Sequence, residues 1–367
     1  MCLYSEGYED DIVGLLDTVF GGWPHLDVAS SKVDYWRWKH LDNPAGRSVV
    51  LVAVKDQRLI GSNHSMPVRV KVGGRERLAV VAADLAVHPD HRRMGVRTAM
   101  RERKLEYLVA IGTSFTQSVS GNPIIVEHSL RENLPRFPHP VAAYVRIKDL
   151  DLHLRHMPVD NAWVKRAGYH ALRALKIIGR GVKDAEAPHG VDVVEVERFD
   201  ERVDGLWSSA SQGYDYIGFR DRVTLNWRYC DPRVGGCKVL YAVEGGELSG
   251  YVVLRVNRFF DDYPVGFIVD ILTDLGRNDV VNALLVEANK YFDDEGVNIV
   301  NALAVKGSAI EKALGVNGYL DSVVRLEVFL RPIIGGEASE MAGYGSDRML
   351  FTWGDHDSLP LNAFKQA

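Results

Sequence analysis

Arg92, Arg93 and Arg97 cluster around Gly95, directly after an apolar run and directly before a stretch with helical spacing. Arginine presents a planar fork of N–H donors that phosphate oxygens accept. Glycine lets the backbone approach an anion closely. The first amides of a helix have no intrahelical partner and lie at the positive end of its dipole. A strand, a short basic loop and a helix start therefore make a cradle for a diphosphate. Asp84 is a second residue of interest, because it is ionisable in an otherwise apolar run. Burial there would raise its pKa toward a value suited to accepting a proton.

The elements that must position these groups are legible nearby. Residues 79–87, AVVAADLAV, read as a buried strand rich in Val, Ala and Leu. Pro89, in His88-Pro89-Asp90-His91, stops the strand and favours a tight bend. Val96, Met100, Leu105 and Leu108 then recur at helical spacing.

The stretch 78–108 resembles motif A of the GNAT superfamily, the acetyl-CoA-dependent N-acetyltransferases. Their pattern is Arg or Gln, two residues, Gly, one residue, then Gly or Ala, placed after a strand and opening a helix. Arg92-x-x-Gly95 fits it, while Arg97 stands where the final small residue is usual. The run HRRMGVRTAM is similar to the variant found in aminoglycoside acetyltransferases of the enhanced-intracellular-survival type. The resemblance implies that Arg92, Arg93, Met94, Gly95, Val96, Arg97 and Thr98 hold the diphosphate of acetyl-CoA as co-substrate. It also implies that Leu85, Ala86 and Val87 pair through their main chain with the pantetheine arm, and that a backbone amide there polarises the thioester carbonyl. Asn122, in Ser120-Gly121-Asn122-Pro123, stands where family members open a short helix after the second splayed strand. The Tyr that many members use as acid toward the thiolate would fall near Ser129, and no Tyr is there.

The chain has 367 residues, more than one ordinary domain, so two is the natural expectation. A quarter of the residues are charged and the net charge is −5, which argues against bulk nucleic-acid binding. Cys2, Cys230 and Cys237 form no metal spacing and no disulfide framework, as expected of a reducing compartment. No signal pattern and no apolar run long enough to span a bilayer is evident, so the expected location is cytoplasmic.

Residues 9–20 place Ile12, Leu15, Leu16, Val19 and Phe20 on one helical face, and a second helix is expected over 33–40. Strands follow over 49–54, 59–62, 67–72 and 77–87, and further strands over 113–119 and 141–147. A helix with one basic face is expected over 162–178, connecting domains. The plan then repeats. Trp36-Arg37-Trp38 before Pro44 is matched by Trp227-Arg228-Tyr229 before Pro232, and an apolar strand and Gly61 or Gly250 follow each. Trp36 and Trp227 are expected to anchor a helix on each sheet. The fold class is therefore α/β (α+β): two tandem GNAT-like domains, each a mixed, mainly antiparallel splayed sheet flanked by helices. The boundaries are residues 1–150 for the acetyl-CoA domain, 151–190 for a helical linker, 191–332 for a degenerate GNAT-like domain and 333–367 for a tail. In the second copy Asp274 and Asp279 flank the loop where the cradle would be, and carboxylates repel a diphosphate. Residues 349–353 read as a returning strand. Asp355, His356 and Asp357, neighbours on an extended chain, are not expected to bind a metal.

Direct acyl transfer needs a neutral amine and something to take its proton. Asp84 is the first candidate base, followed by Glu127 and His128, with Tyr144 as a candidate acid. Unassisted departure of the thiolate is the alternative. Acidic residues at 215, 261, 262, 270 and 274 point toward a cationic amine acceptor, such as an aminosugar, amino acid or polyamine. The expected activity is N-acetyl transfer to a primary amine of a small molecule. A longer-chain acyl or aminoacyl transferase and a non-catalytic CoA-binding partner are the alternatives. No nucleic-acid partner is expected, and a homo-oligomer is compatible with the sequence.

Overall fold

In the computed structural model, which describes residues 1–156, 190–259 and 263–357, the apolar runs form strands and the amphipathic stretches lie against them as helices. The basic helix expected over 162–178, and positions 261 and 262, lie outside the described residues. In chain order the elements begin with β1 (Cys2–Leu3), α1 (Glu9–Phe20), α2 (Lys32–His40), β2 (Val49–Lys55), β3 (Arg58–Val72) and β4 (Arg75–Val87). Then come α3 (Val96–Ala110), β5 (Phe115–Ser120), α4 (Pro123–Arg131), β6 (Val141–Ile147) and α5 (Leu150–His156). β7 (Asp192–Val196), α6 (Arg202–Gly213), β8 (Tyr216–Gly218), α7 (Arg222–Cys230), β9 (Cys237–Glu244) and β10 (Glu247–Asn257) follow. β11 (Val265–Thr273), α8 (Asn278–Asp294), β12 (Ile299–Val305), α9 (Ala309–Val316) and β13 (Leu320–Pro332) complete the sheets.

The chain clusters into two compact units, and their boundaries differ from the sequential ones expected. Met1–Pro138, Asp215–Gly235 and Leu326–Tyr344 form the first, and His139–Tyr214, Gly236–Arg325 and Gly345–Ala367 the second. Asp215–Gly235 joins the first unit through both of its elements. β8 pairs with Val70, Lys71 and Val72 of β3. α7 lies on α2 through Trp227, which stacks on Trp38 at 5.1 Å between ring centroids. The two indoles also exchange hydrogen bonds, Trp38 Nε1 donating to Trp227 O at 2.8 Å and Trp227 Nε1 to Trp38 O at 3.2 Å. Trp227 therefore does not anchor a helix on a second sheet. Its counterpart is Trp38, not Trp36: Trp38 precedes Gly61 by the same 23 positions that separate Trp227 from Gly250.

In the first unit the strand order is β1-β2-β3-β4-β5-β13, with β8 on β3. All pairs are antiparallel except β4 with β5. β3 is one long strand, not the two expected over 59–62 and 67–72. Its pairing with β2 ends at Ser65, so Pro67 needs no amide donor on that edge while it faces Val80 on the other. The Pro67 carbonyl is used instead by Asn43 Nδ2 at 2.8 Å. The core beneath β2 and β4 is formed by Ile12, Leu15 and Leu16 of α1 with Trp36 and Trp38 of α2.

The second unit repeats this order in β7, β9, β10, β11 and β12, with β6 beyond, and again only one pair, β11 with β12, is parallel. Gly250 faces Thr273 at the end of β11, as Gly61 faces Val87 at the end of β4. Residues 349–353 do not form a returning strand. Thr352 instead caps the turn Trp353–Asp355 and donates to Asp270 Oδ1 at 2.9 Å. Asp270 also accepts from Tyr251 Oη at 2.9 Å and is buried, so it is a core residue and no lure for a cationic acceptor. Among the described residues no cluster of His, Cys, Asp and Glu could hold a metal, and no helix is long and apolar enough to cross a membrane.

Candidate active site

β4 and β5 pair only at Ala79–Phe115, Val80–Thr116 and Val81–Gln117. Beyond Val81 the two strands diverge, and a cavity of about 320 Å³ opens between them, bounded by α3, α4 and the end of β13. The divergence has a local cause. Ala83 and Ala86 of β4 face His64 and Ser62 of β3, so β4 carries one residue more than its partner. This is a β-bulge, which bends its strand and re-aims side chains. Asp84 sits in it at φ 44°, a left-handed conformation that Asp tolerates better than most residues.

A buried polar network holds the bulge. Asp84 Oδ1 accepts from Trp23 Nε1 at 2.8 Å, and Oδ2 takes Lys39 Nζ at 2.7 Å and His40 Nε2 at 3.0 Å. Trp36 Nε1 donates to His64 Nε2 at 3.0 Å, so the other ring nitrogen of His64 carries the proton it donates to Asp84 O at 2.9 Å. Burial and the neighbouring His40 keep His64 neutral, its pKa well below the usual histidine value. The expectation for Asp84 is corrected here. Burial does oppose its charge, but Lys39 and His40 outweigh that and hold the carboxyl well below its usual value. A carboxylate so stabilised is a weak proton acceptor. The sequence shows an acid in an apolar strand but not the Lys and His that face it from α2.

The residues expected to form the cradle connect the turn Pro89–His91 to the start of α3. Arg93 and Gly95 take positive φ, 64° and 76°, and Gly95 caps α3. Arg92, Arg93, Met94, Gly95, Arg97 and Thr98 are exposed, whereas Val96 is buried and packs with Met100 under Leu51 and Ala53. A Cβ on Gly95 would meet nothing within 4 Å. Leu85 is exposed, Ala86 is buried, and both Ala86 and Val87 pair with β3 on the edge away from the cavity.

Asn122 is the N-cap of α4, its Oδ1 accepting from Ile124 N at 2.9 Å. α4 brings His128 and Ser129 to the wall of the cavity that Asp84 and Leu85 also line. Glu127 is not brought there; it is exposed and paired with Arg131 at 2.6 Å. Tyr144 belongs to the second unit, where it donates to Glu311 at 2.5 Å. Burial and that carboxylate raise its pKa.

One cavity residue escaped the sequence reading. Lys104 of α3 is only 8 % exposed and donates to Asn63 Oδ1 at 3.1 Å. Desolvation, with Arg331 and Arg101 nearby, lowers its pKa to about 8. Its sequence neighbours, Arg101, Arg103 and Glu106, made this face read as solvated. Only its spacing from Val96 and Met100, which puts it on their side of the helix, could have marked it as inward.

Residues 3–119 match the sequence model of the acetyltransferase (GNAT) domain. The matched stretch is under half of the chain, and it includes the strand, loop and helix at 75–110. The fold as a whole is similar to that of several solved structures. A GCN5-related N-acetyltransferase from Anabaena variabilis superposes with a TM-score of 0.62 at 12 % identity, covering 93 % of this chain and 74 % of the other. N-myristoyltransferase of Saccharomyces cerevisiae with bound myristoyl-CoA gives 0.59 at 13 % identity, covering 89 % and 80 %. A probable N-acyltransferase from Enterococcus faecalis gives 0.58 at 12 % identity, covering 90 % and 70 %. No curated protein sequence matches the chain.

Proposed function

We propose that the protein is an N-acyltransferase that moves a short acyl group, acetyl in the parent case, from its CoA thioester to a primary amine of a small molecule by direct transfer. The observation that carries this reading is the splay of β4 from β5, which opens a cavity beside the exposed start of α3. The diphosphate would lie on the amides and arginines of Arg92, Arg93, Met94, Gly95, Val96, Arg97 and Thr98. The pantetheine arm would run along the edge of β4 at Leu85, Ala86 and Val87, which β5 leaves unpaired. The bulge fixes how that edge is presented, and the network of Asp84, Lys39, His40 and His64 fixes the bulge. Asp84 is thus a positioning residue.

In the reaction the neutral amine attacks the thioester carbonyl, a C–N bond forms and the C–S bond breaks. A main-chain amide of the bulge would stabilise the oxyanion that develops between these events. His128, which lines the cavity, would move a proton between the amine and the departing thiolate.

Thiol release from acetyl-CoA, followed across a panel of aminosugars, amino acids and polyamines, tests the reading. Amine-dependent release by the wild type supports it. Saturable acyl-CoA binding with no release for any amine would overturn it in favour of a CoA-binding module.

A further inference from the structure

The cavity between β4 and β5 carries more positive charge than transfer of a neutral acetyl group requires. Arg101 and Arg331 both pair with Glu132, so two arginines share one carboxylate. Asp84 also reaches the cavity, but its charge is matched by Lys39. Lys104 and Arg97 remain, and among the described residues neither has a carboxylate within ion-pair distance. Lys104 is the more telling of the two. It is a buried ammonium whose hydrogen-bond partner is a neutral amide, Asn63 of β3. Burying a cation without a counter-ion is costly, and it is tolerated where a ligand supplies the missing charge. Its depressed pKa reports the same imbalance. Lys104 lies on α3 about two and a half turns beyond Gly95, so it faces the acyl end of the ligand and not the diphosphate.

We infer that the preferred donor is an acyl-CoA whose acyl chain ends in a carboxylate, and that Lys104, supported by Asn63 and Arg331, determines this specificity. The inference rests on the acyltransferase reading and narrows its donor. The amine nitrogen still bonds to the thioester carbon and the C–S bond still breaks. CoA leaves as thiol with the proton the amine gives up, and the distal carboxylate is carried unchanged into the amide product.

The test is calorimetric binding of two inert thioethers to the full chain, S-carboxypropyl-CoA and S-butyl-CoA, which differ only in the terminal carboxylate. At about pH 7 the carboxylated probe is expected to bind about tenfold tighter. In Lys104→Met the two should bind alike. A titration of the wild type guards against a variant that fails to fold: the preference should decline as pH rises from about 7 toward about 10 and Lys104 loses its proton. Arg97 and Arg101 on the same helix and Arg331 on β13 line the same cavity. His128 from α4 faces the same space with Glu132, so a His128→Gln control should keep the preference. Equal or tighter binding of S-butyl-CoA overturns the inference and leaves the acyltransferase reading intact. Failure of both probes to bind overturns both.

Discussion

Lys39 Nζ stands 2.7 Å from Asp84 Oδ2, and both side chains are buried beneath the bulge of β4. Removing one partner of a buried ion pair strands the other charge. Asp84→Asn should therefore lower stability to urea by about 3 kcal/mol. Its residual activity, measured where the variant is folded, should fall far less than loss of a general base implies. Abolished turnover at unchanged stability would return Asp84 to the role of base.

The same network fixes a pH dependence. The folded-state pKa of His64 is depressed, so the unfolded chain binds a proton that the folded chain refuses. Stability is then fully present above the unfolded value, about 6.5, and falls as pH drops from there toward the folded value. His153 in the second unit, lowered to about 4 by burial and His156, acts in the same sense. Unfolding free energies from urea titrations should fall below about pH 6.5, with a slope that approaches about 1.4 kcal/mol per pH unit for each such histidine near pH 5. His64→Asn should remove one proton's worth of that slope, whatever it does to the overall stability. An unchanged slope would mean that His64 is protonated in the folded protein.

What could be read from the sequence is what local patterning determines. The strand, basic loop and helix of the cradle, α1, α2 and most strand positions follow from apolar spacing and turn residues. The bulge at Asp84 does not, because a bulge is a mismatch of register between two strands and is invisible in either alone. The partners of the Asp84 carboxylate are 44 to 61 positions away in the chain. Sequence order places Asp215–Gly235 with the second repeat, whereas it clusters with the first unit, where Trp227 stacks on Trp38. The inward turn of Lys104 was hidden by the charged residues around it.

Two neighbours on α4 should separate cleanly. His128 lines the cavity, whereas Glu127 is turned outward to Arg131. His128→Gln should reduce kcat by about a hundredfold with little change in KM, as loss of a proton-transfer group does. Glu127→Gln should stay near wild type in both. Steady-state kinetics on the best amine of the panel decides it, and equal losses in the two variants would deny His128 a special place.

Gly95 offers a test of the cradle's geometry. At φ 76° a side chain is strained, so Gly95→Ala should cost about 1 kcal/mol of stability. Because the new Cβ meets no protein atom within 4 Å, it would project into the open loop. Its effect on acyl-CoA affinity should therefore exceed its effect on stability, as read by calorimetry beside thermal melts. A melt shift with unaltered affinity would show that the ligand does not approach this backbone.

The central claim is that the loop from Arg92 to Thr98 holds the diphosphate of an acyl-CoA. Calorimetric titration of acetyl-CoA into the wild type and into the double variant Arg92→Ala/Arg93→Ala tests it most directly. Both arginines are exposed, so the variant should fold as the wild type does. The account predicts saturable binding by the wild type and a loss of at least about tenfold in affinity in the variant. Equal affinity in the two proteins, or no binding by the wild type, would contradict it.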